Sequence, residues 1–386
     1  MAPAVRNAAE VSAQPLGSAR TLALFAGPSG GHLFPAVAFA EAWKKRHPES
    51  RIHLVTSRKG APIAEPAADG LFEKIHYLPN FPSSPGISLR TMGFLLKLAV
   101  AFIDSCLCLE RIKPDLCVGF GSYVSYPGMM LSVWKKIPAL IHEQNVIPGK
   151  ATRWLARHVD CVAVSFPETL TNTRLKRVVC TGLPLRRCFL ERRNALRATS
   201  TAAGKVRILV VGGSQGAGFL NRTAVDAFCL LSSEEKEKTA VIHITGAGDF
   251  EQVSGSYRGA GIEAEVYPFF SRMEELYGAV DLAVSRAGAN TLFELALFHR
   301  PAVIIPYPYA GAHQIENARF FESRGGFLMR EEKELTPASL RDLIRGLLKD
   351  PERHRRMAES LAALAAPEAP EKLADLAEDL CQRRHP

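Results

Sequence analysis

The feature that most restricts what this chain can fold into is a pattern that occurs twice. Each time a short apolar run enters a glycine-rich turn and leaves it in a helical spacing of apolar residues. Residues 21–26 (TLALFA) lead into Gly27-Pro28-Ser29-Gly30-Gly31-His32 and a helical pattern over 35–43, and residues 206–211 (VRILVV) lead into Gly212-Gly213-Ser214-Gln215-Gly216. Strand, glycine loop, helix is the opening unit of an open parallel α/β sheet. Residues 52–56, 116–119, 139–142 and 161–165 read as further buried strands in the first series, and 241–245, 282–285 and 302–306 in the second. A length of 386 residues exceeds what one core fills. A polar, Arg-rich stretch at 187–205 lies between the series. The expectation is an α/β chain with two doubly wound Rossmann-like domains, facing each other across a cleft at the carboxyl ends of their strands, where such sheets bind ligands. The expected divisions are a disordered leader at 1–20, an N-terminal domain at 21–185, a C-terminal domain at 186–366, and a final helix at 367–386. That helix carries Leu373, Leu376, Ala377 and Leu380 at helical spacing and is expected to pack back on the N-terminal domain.

Charge is split unevenly. Residues 1–193 hold 25 Lys/Arg against 13 Asp/Glu, a balance of +12, and the remainder holds 23 against 26, a balance of −3. The basic partner surface therefore belongs to the first half, and anionic lipid, a phosphorylated substrate and nucleic acid all fit its sign. No basic motif interleaved with aromatics is present, which argues against nucleic acid. The longest apolar run, 93–109, is broken by Lys97 and Asp104 and is too short and too charged to span a bilayer, so the chain reads as soluble or membrane-peripheral. Residues 87–102 (ISLRTMGFLLKLAVAF), Trp134-Lys135-Lys136 and Arg153-Trp154 set apolar side chains beside cations, the composition of a surface that dips into an anionic interface. Core packing is the competing reading of those apolar residues. The eight cysteines show no C-x2-C pair and no Cys/His cluster, so they read as free thiols in a reducing compartment, with no metal site.

Chemistry concentrates at the expected strand ends. The two glycine loops bring backbone N–H groups and helix N-termini to where phosphates bind, although neither is G-x-G-x-x-G and no Walker lysine follows. One such loop in each half suggests two phosphorylated substrates. His142-Glu143-Gln144-Asn145 follows a buried strand, and residues 119–128 (GFGSYVSYPG) form another glycine-rich turn. Residues 285–295 (SRAGANTLFEL) place Glu294 one and a half turns into a helix, where a carboxylate can accept from a ribose diol. Gln314 and Asn317 could share one helix face, and amides suit sugar hydroxyls because they both donate and accept. No D-x-D is present to hold a metal on a diphosphate.

Together these segments resemble the MurG family, the N-acetylglucosaminyltransferases that make lipid II. The loop 27–36 (GPSGGHLFPA) is similar to the family's G-G-T-G-G-H-x-x-P, and GFGSYVSYPG, HEQN, GLPLR at 182–186, GGSQGA, SRAGANTLFE and HQIENA follow in the family's order. Four departures stand out. Ser29 replaces Thr, Leu183 replaces the Asn of G-N-P, and Ser122 replaces the second Gly of Gly-Gly-Tyr. Residues 80–86 (NFPSSPG) replace a Gly/Lys-rich loop. The resemblance implies the glycosyltransferase-B fold, with an N-terminal acceptor and membrane-facing domain and a C-terminal donor domain. It implies inverting transfer from UDP-N-acetylglucosamine, a substrate rather than a cofactor, to the 4-hydroxyl of a lipid-linked muramoyl-peptide. It places the chain peripherally at the cytoplasmic face of the bacterial cell membrane, on an anionic surface.

Donor residues implied by the resemblance are Asn145, Arg186, Ser214, Gln215, Phe270, Ala289, Asn290, Thr291, Glu294, Gln314 and Asn317. Glu294 would hold the ribose and Phe270 would border the uracil. Implied acceptor residues are Ser29, Gly30, Gly31, Gly121, Ser122 and Tyr123. His32 is the first candidate for the base that takes the hydroxyl proton, with Glu143 and His142 as alternatives. The rival readings are a UDP-N-acetylglucosamine 2-epimerase of the same fold class and a non-catalytic subunit that binds nucleotide sugar or membrane.

Overall fold

The computed structural model describes residues 19–66, 70–78, 90–172, 177–196, 205–213, 216–309 and 313–383. The expected leader up to residue 18, the loop 80–86, Ser214 and Gln215 lie outside the described residues. The chain divides into two compact units, 1–187 with 366–386, and 188–365.

The first unit is a parallel sheet of β1 (Thr21–Phe25), β2 (Arg51–Ser57), β3 (Lys74–Leu78), β4 (Leu116–Gly119), β5 (Ala139–Glu143), β6 (Cys161–Val164) and β7 (Val178–Cys180). Their spatial order is β3-β2-β1-β4-β5-β6-β7. The inner strands β1, β4, β5 and β6 are buried along their whole length, so their sequences are continuous rather than alternating apolar runs. The winding direction reverses between β1 and β4. The turn 26–29 leaves the sheet at this switch point, and so does the turn at Phe120 and Gly121, because each follows one of those two strands.

Helix Ala369–Gln382 belongs to this unit. Its Leu373, Leu376, Ala377 and Leu380 enter the same apolar cluster as Leu22, Phe39 and Trp43. Glu378, 4% exposed, accepts from His47 Nε2 at 2.8 Å and pairs with Arg46, while Asp379 pairs with Arg177 at 2.7 Å.

Helix Arg90–Ile112 buries Ala101, Ser105, Cys108, Leu109 and Ile112. Leu96, Val100, Ile103 and Leu107 recur at helical spacing on another face and are 62%, 45%, 59% and 49% exposed. Phe102 stacks on Trp134 of helix Ser122–Trp134, with centroids 5.9 Å apart. Trp134 and Trp154 are themselves 64% and 68% exposed. Among the described residues no helix is long and apolar enough to cross a membrane.

The second unit repeats the plan with β8 (Val206–Val211), β9 (Thr239–Ile244), β10 (Glu263–Tyr267), β11 (Leu282–Ser285), β12 (Ala302–Ile304) and β13 (Leu328–Met329), in the order β10-β9-β8-β11-β12-β13, all parallel. Its switch point lies between β8 and β11. Both are followed by glycine-bearing turns that start a helix, Gly218–Cys229 after β8 and Ala289–Leu297 after β11. The expected α/β class with two doubly wound sheets is what the chain forms.

Candidate active site

In the first unit the loops after β1, β4 and β5 converge around His32. Ser29 is the N-cap of helix Gly30–Arg46, but its hydroxyl does not cap the helix. Its Oγ instead lies 2.9 Å from His32 Nδ1. The loops after β1 and β4 approach closely: a Cβ on Gly27 would lie 2.4 Å from Ser122 Cβ and 3.1 Å from His32 Nδ1, so only glycine fits there. On the other side, a Cβ on Gly121 would lie 3.4 Å from His32 Nε2. His32 is half-buried, and burial pulls its pKa below the ordinary histidine value, opposed by the charge of Glu143. The imidazole is thus neutral at pH 7. In the tautomer whose Nδ1–H donates to Ser29, Nε2 keeps its lone pair for an incoming proton.

Glu143 is 2% exposed and uses its carboxylate within its own loop. Its Oε1 accepts from the Asn145 backbone N–H at 3.0 Å and from Asn145 Nδ2 at 3.1 Å, and its Oε2 accepts from Gly149 N–H at 3.1 Å. His142 is fully buried between Gly182 O, 3.1 Å from its Nε2, and Gln144 Nε2, 3.3 Å from its Nδ1, and burial pushes its pKa down to about 4. Gln144, which the sequence marked only as part of the motif, is buried and also donates to Phe120 O, tying the β5 loop to the β4 loop.

Gly121, Ser122 and Tyr123 start helix Ser122–Trp134; Tyr123 is 39% exposed, and Ser122 has φ 72°. The backbone thus keeps the left-handed conformation at the one position of this turn where the chain departs from Gly-Gly-Tyr. Arg186 lies in the first unit, its guanidinium 4.1 Å from the centre of the Phe34 ring. Asn145 also belongs to that unit.

In the second unit, Gly216 has φ 77°, and a Cβ there would lie 2.4 Å from Thr245 O. The floor beneath this turn is a buried polar chain that the sequence did not disclose. Asn221 Nδ2 donates to Thr245 O at 2.8 Å and to Asp249 Oδ2 at 2.7 Å, and Asn221 Oδ1 accepts from His243 Nε2 at 3.1 Å. His243 Nδ1 in turn accepts from Tyr257 OH at 2.9 Å.

Beside it, the turn after β11 is fixed from behind. Buried Arg286 donates to Ile305 O at 3.2 Å and pairs with Glu332. Gln314 Oε1 accepts from Ala287 N–H at 3.1 Å and from Tyr307 N–H at 2.9 Å. Two backbone donors fix the orientation of that amide, so the Gln314 amino group is left to donate elsewhere. Asn317 is fully buried and its Nδ2 lies 3.5 Å from Ala287 O. Glu294, 6% exposed, accepts from Tyr277 OH at 3.1 Å. Ala289 is buried; Asn290 and Thr291 are partly exposed in the first turn of their helix. Phe270 is half-buried against the Tyr267 ring, with centroids 5.1 Å apart.

The helix starts at these loops differ from several others in the chain. Helices Gly30–Arg46, Gly218–Cys229 and Ala289–Leu297 have no side-chain cap and no acidic residue in the first turn. By contrast, Ser232, Thr336 and Asp350 cap the starts of helices Ser233–Glu237, Pro337–Lys349 and Pro351–Leu364. The positive end of a helix dipole is suited to anions. The two units thus each offer an anion-receptive edge, one with a neutral histidine beside it and one with a carboxylate and amide groups beside it.

Known proteins align with both units. The N-terminal domain of glycosyltransferase family 28 matches residues 22–164 and its C-terminal domain matches 207–378. The UDP-N-acetylglucosamine–N-acetylmuramyl-(pentapeptide) pyrophosphoryl-undecaprenol N-acetylglucosamine transferase of Anaeromyxobacter sp. (strain K) is 37% identical over 360 residues, 93% of this chain and 92% of that one. The crystal structure of Acinetobacter baumannii MurG superimposes with a TM-score of 0.74 at 26% identity, over 93% of this chain and 99% of that one. A UDP-N-acetylglucosamine 2-epimerase superimposes with a TM-score of 0.64 at 10% identity, over 92% of this chain and 94% of that one, a likeness of fold alone. With a relative this similar along nearly its whole length, the chain belongs to glycosyltransferase family 28, in its MurG branch.

Proposed function

We propose that this chain transfers N-acetylglucosamine from UDP-N-acetylglucosamine to the 4-hydroxyl of a lipid-linked N-acetylmuramoyl-peptide, converting lipid I to lipid II in peptidoglycan synthesis. The observation that carries this reading is the extent of the likeness: a transferase named for this reaction aligns over 93% of this chain and 92% of itself, so both halves of a two-substrate enzyme are present. The 2-epimerase likeness at 10% identity adds nothing on chemistry.

The second unit takes the donor. The N–H groups of Ala289, Asn290 and Thr291 and the Gln314 amino group meet the diphosphate and sugar, Glu294 accepts from the ribose, Phe270 borders the uracil, and Asn317 holds the Ala287 turn in place. As the glycosidic bond breaks, charge grows on the leaving diphosphate, and preorganised helix N–H groups stabilise it more than they stabilise the bound substrate.

The first unit takes the acceptor, with Ser29, Gly30, Gly31, Gly121 and Ser122 around its pyrophosphate. His32 Nε2 takes the proton of the attacking hydroxyl, with Ser29 fixing the ring through Nδ1. Glu143 serves as the residue that shapes the loop 145–149, since its carboxylate is already bonded to that loop.

Because the acceptor's lipid stays in the bilayer, the first unit docks on the membrane. The exposed stripe Leu96, Val100, Ile103 and Leu107, with Trp134 and Trp154, supports this, flanked by exposed Lys97, Lys136, Arg153 and Arg157. The chain then works peripherally, at the cytoplasmic face of the bacterial membrane where UDP-sugars are found. A direct displacement makes a β-linked product from an α-linked donor. Proton NMR of the disaccharide lipid tests this: a β-anomeric coupling is expected, and an α-linked product would overturn the single-displacement mechanism.

A further inference from the structure

Beneath the Gly216 turn, one buried polar chain runs from helix Phe250–Gly259 through β9 to the first turn of helix Gly218–Cys229. Its members Tyr257, His243 and Asn221 are 1%, 0% and 0% exposed, so none of them meets a ligand directly. We propose that His243 and Tyr257 are positioning residues for the donor diphosphate: through Asn221 they hold the backbone on which the Gly216 turn is seated. The proposal rests on the donor assignment of the second unit and deepens it, from the groups that meet the ligand to those that hold them in place.

Chain and turn are in close contact. A Cβ on Gly216 would lie 2.4 Å from Thr245 O and 3.2 Å from Gly246 Cα, so the turn rests directly on the Thr245–Gly246 backbone. Asn221 Nδ2 donates to the same Thr245 O at 2.8 Å and to Asp249 Oδ2 at 2.7 Å. A carbonyl and a carboxylate both call for a donor, so the amide presents its amino group to them and its oxygen to His243. His243 Nε2, 3.1 Å from that oxygen, therefore carries the ring proton. Burial pushes the pKa of this imidazole down to about 3, so at pH 7 the ring holds no second proton. Nδ1 is then a bare lone pair, and the Tyr257 hydroxyl donates to it at 2.9 Å. Every donor points the same way, from Tyr257 towards Thr245 and Asp249, an arrangement in which each bond polarises the next.

Removing the imidazole leaves Asn221 Oδ1 buried without a donor. The amide is then free to turn, and turning withdraws its N–H from Thr245 O, the atom under Gly216. A ligand-holding constellation tolerates only about 0.5 Å of drift, so contacts between this turn and the diphosphate weaken first. The acceptor, which the first unit takes, is untouched. A fault in this chain is therefore read in donor affinity and spares the acceptor KM.

The test uses the full chain as wild type, H243L, H243Q, Y257F and the double variant Y257F/H243L. I262A is the control: Ile262 belongs to the same core but precedes β10, at the end of the sheet away from the glycine turns. Each form is titrated with UDP by calorimetry, assayed for donor and acceptor KM, and melted thermally, with binding measured at a temperature where all are folded. H243L should bind UDP roughly fivefold to tenfold more weakly, the worth of one hydrogen bond, and raise the donor KM while the acceptor KM stays unchanged. H243Q should stay within about twofold of wild type, because its amide sets an acceptor and a donor across one carbon as the imidazole does. Y257F should lose about twofold to threefold, and Y257F/H243L should be no weaker than H243L alone, since Tyr257 acts through His243. I262A should melt earlier and bind UDP like wild type. Wild-type UDP affinity in H243L overturns the proposal, and so does an I262A loss of affinity that matches H243L at the same drop in melting temperature. If H243L does not fold, unchanged UDP affinity in Y257F overturns it instead. Failure of wild type to bind UDP would remove the donor reading of the second unit, and with it this proposal.

Discussion

Glu294 is where the donor account can be separated most cleanly from mere structural support. The carboxylate is 6% exposed and accepts a hydrogen bond from the buried Tyr277 hydroxyl at 3.1 Å. Glu294→Ala therefore has two expected consequences. Losing a charged acceptor for the ribose costs about 1.5–3 kcal/mol, which is roughly a tenfold to hundredfold loss of UDP affinity. Taking this acceptor away from the buried Tyr277 hydroxyl costs about 1–3 kcal/mol of stability. Tyr277→Phe deletes the hydroxyl and carries the structural part alone, so it should keep nearly full UDP affinity. Glu294→Gln retains an acceptor for Tyr277 but not the charge, and should fall between the two in affinity while staying close to wild type in stability. Calorimetric titration with UDP and urea unfolding, run on the three variants, read the two quantities independently. If Glu294→Ala loses stability but binds UDP like wild type, Glu294 is a partner for Tyr277 and the ribose assignment is wrong.

Three further outcomes follow from the geometry. His32→Ala should lower turnover by roughly a hundredfold to ten-thousandfold with little change in UDP affinity, and the acid limb of wild-type kcat/KM should lie below pH ~6.5 because burial lowers the His32 pKa; near-normal turnover with a raised acceptor KM would make His32 a binding residue. Buried His142, held at about 4, binds a proton later than the unfolded chain does, so the stability it contributes is full above pH ~6.5 and is lost as pH falls towards 4, by about 3 kcal/mol. Denaturant unfolding across that window should show a shallower loss in His142→Gln, and an identical slope in both proteins would refute the linkage. Ser122→Gly should stabilise the first unit by about 0.5–1 kcal/mol, since a left-handed non-glycine residue costs about 1–2 and the added freedom of the unfolded glycine returns part of it; a destabilised variant in urea melts would show that the side chain holds the turn.

The central strands were legible because burial on both faces leaves continuous apolar runs such as VRILVV, and a glycine turn at a strand end has few alternatives. The strands not read were β3, β7, β10 and β13. All four lie at a sheet edge, β3 (KIHYL) and β10 (EAEVY) carry charge, and none is buried along its length. A half-exposed strand needs no apolar continuity, so it leaves no periodic signal. Helix Arg90–Ile112 shows the opposite ambiguity: its composition is apolar, and only the structure separates the buried face of Cys108 and Leu109 from the exposed stripe of Leu96 and Ile103.

At the candidate site, residue types at strand ends pointed to loops but not to the direction of each side chain. Glu143 and His142 read as polar cleft residues, yet each is buried; Glu143 spends its carboxylate on its own loop, and His142 reaches across to Gly182 O. Arg286 and Asn221 act at long sequence separation, through Ile305 and Thr245, and nothing in local spacing announces such partners.

The most direct test of the account is transfer itself. The purified chain is supplied with UDP-N-acetylglucosamine labelled in the sugar and with lipid-linked muramoyl-pentapeptide in detergent, and products are separated into lipid and aqueous phases. The account requires label to appear in a disaccharide lipid, dependent on the acceptor and abolished by excess UDP. Label that stays in the aqueous phase, or emerges there as free N-acetylmannosamine with or without acceptor, would contradict it.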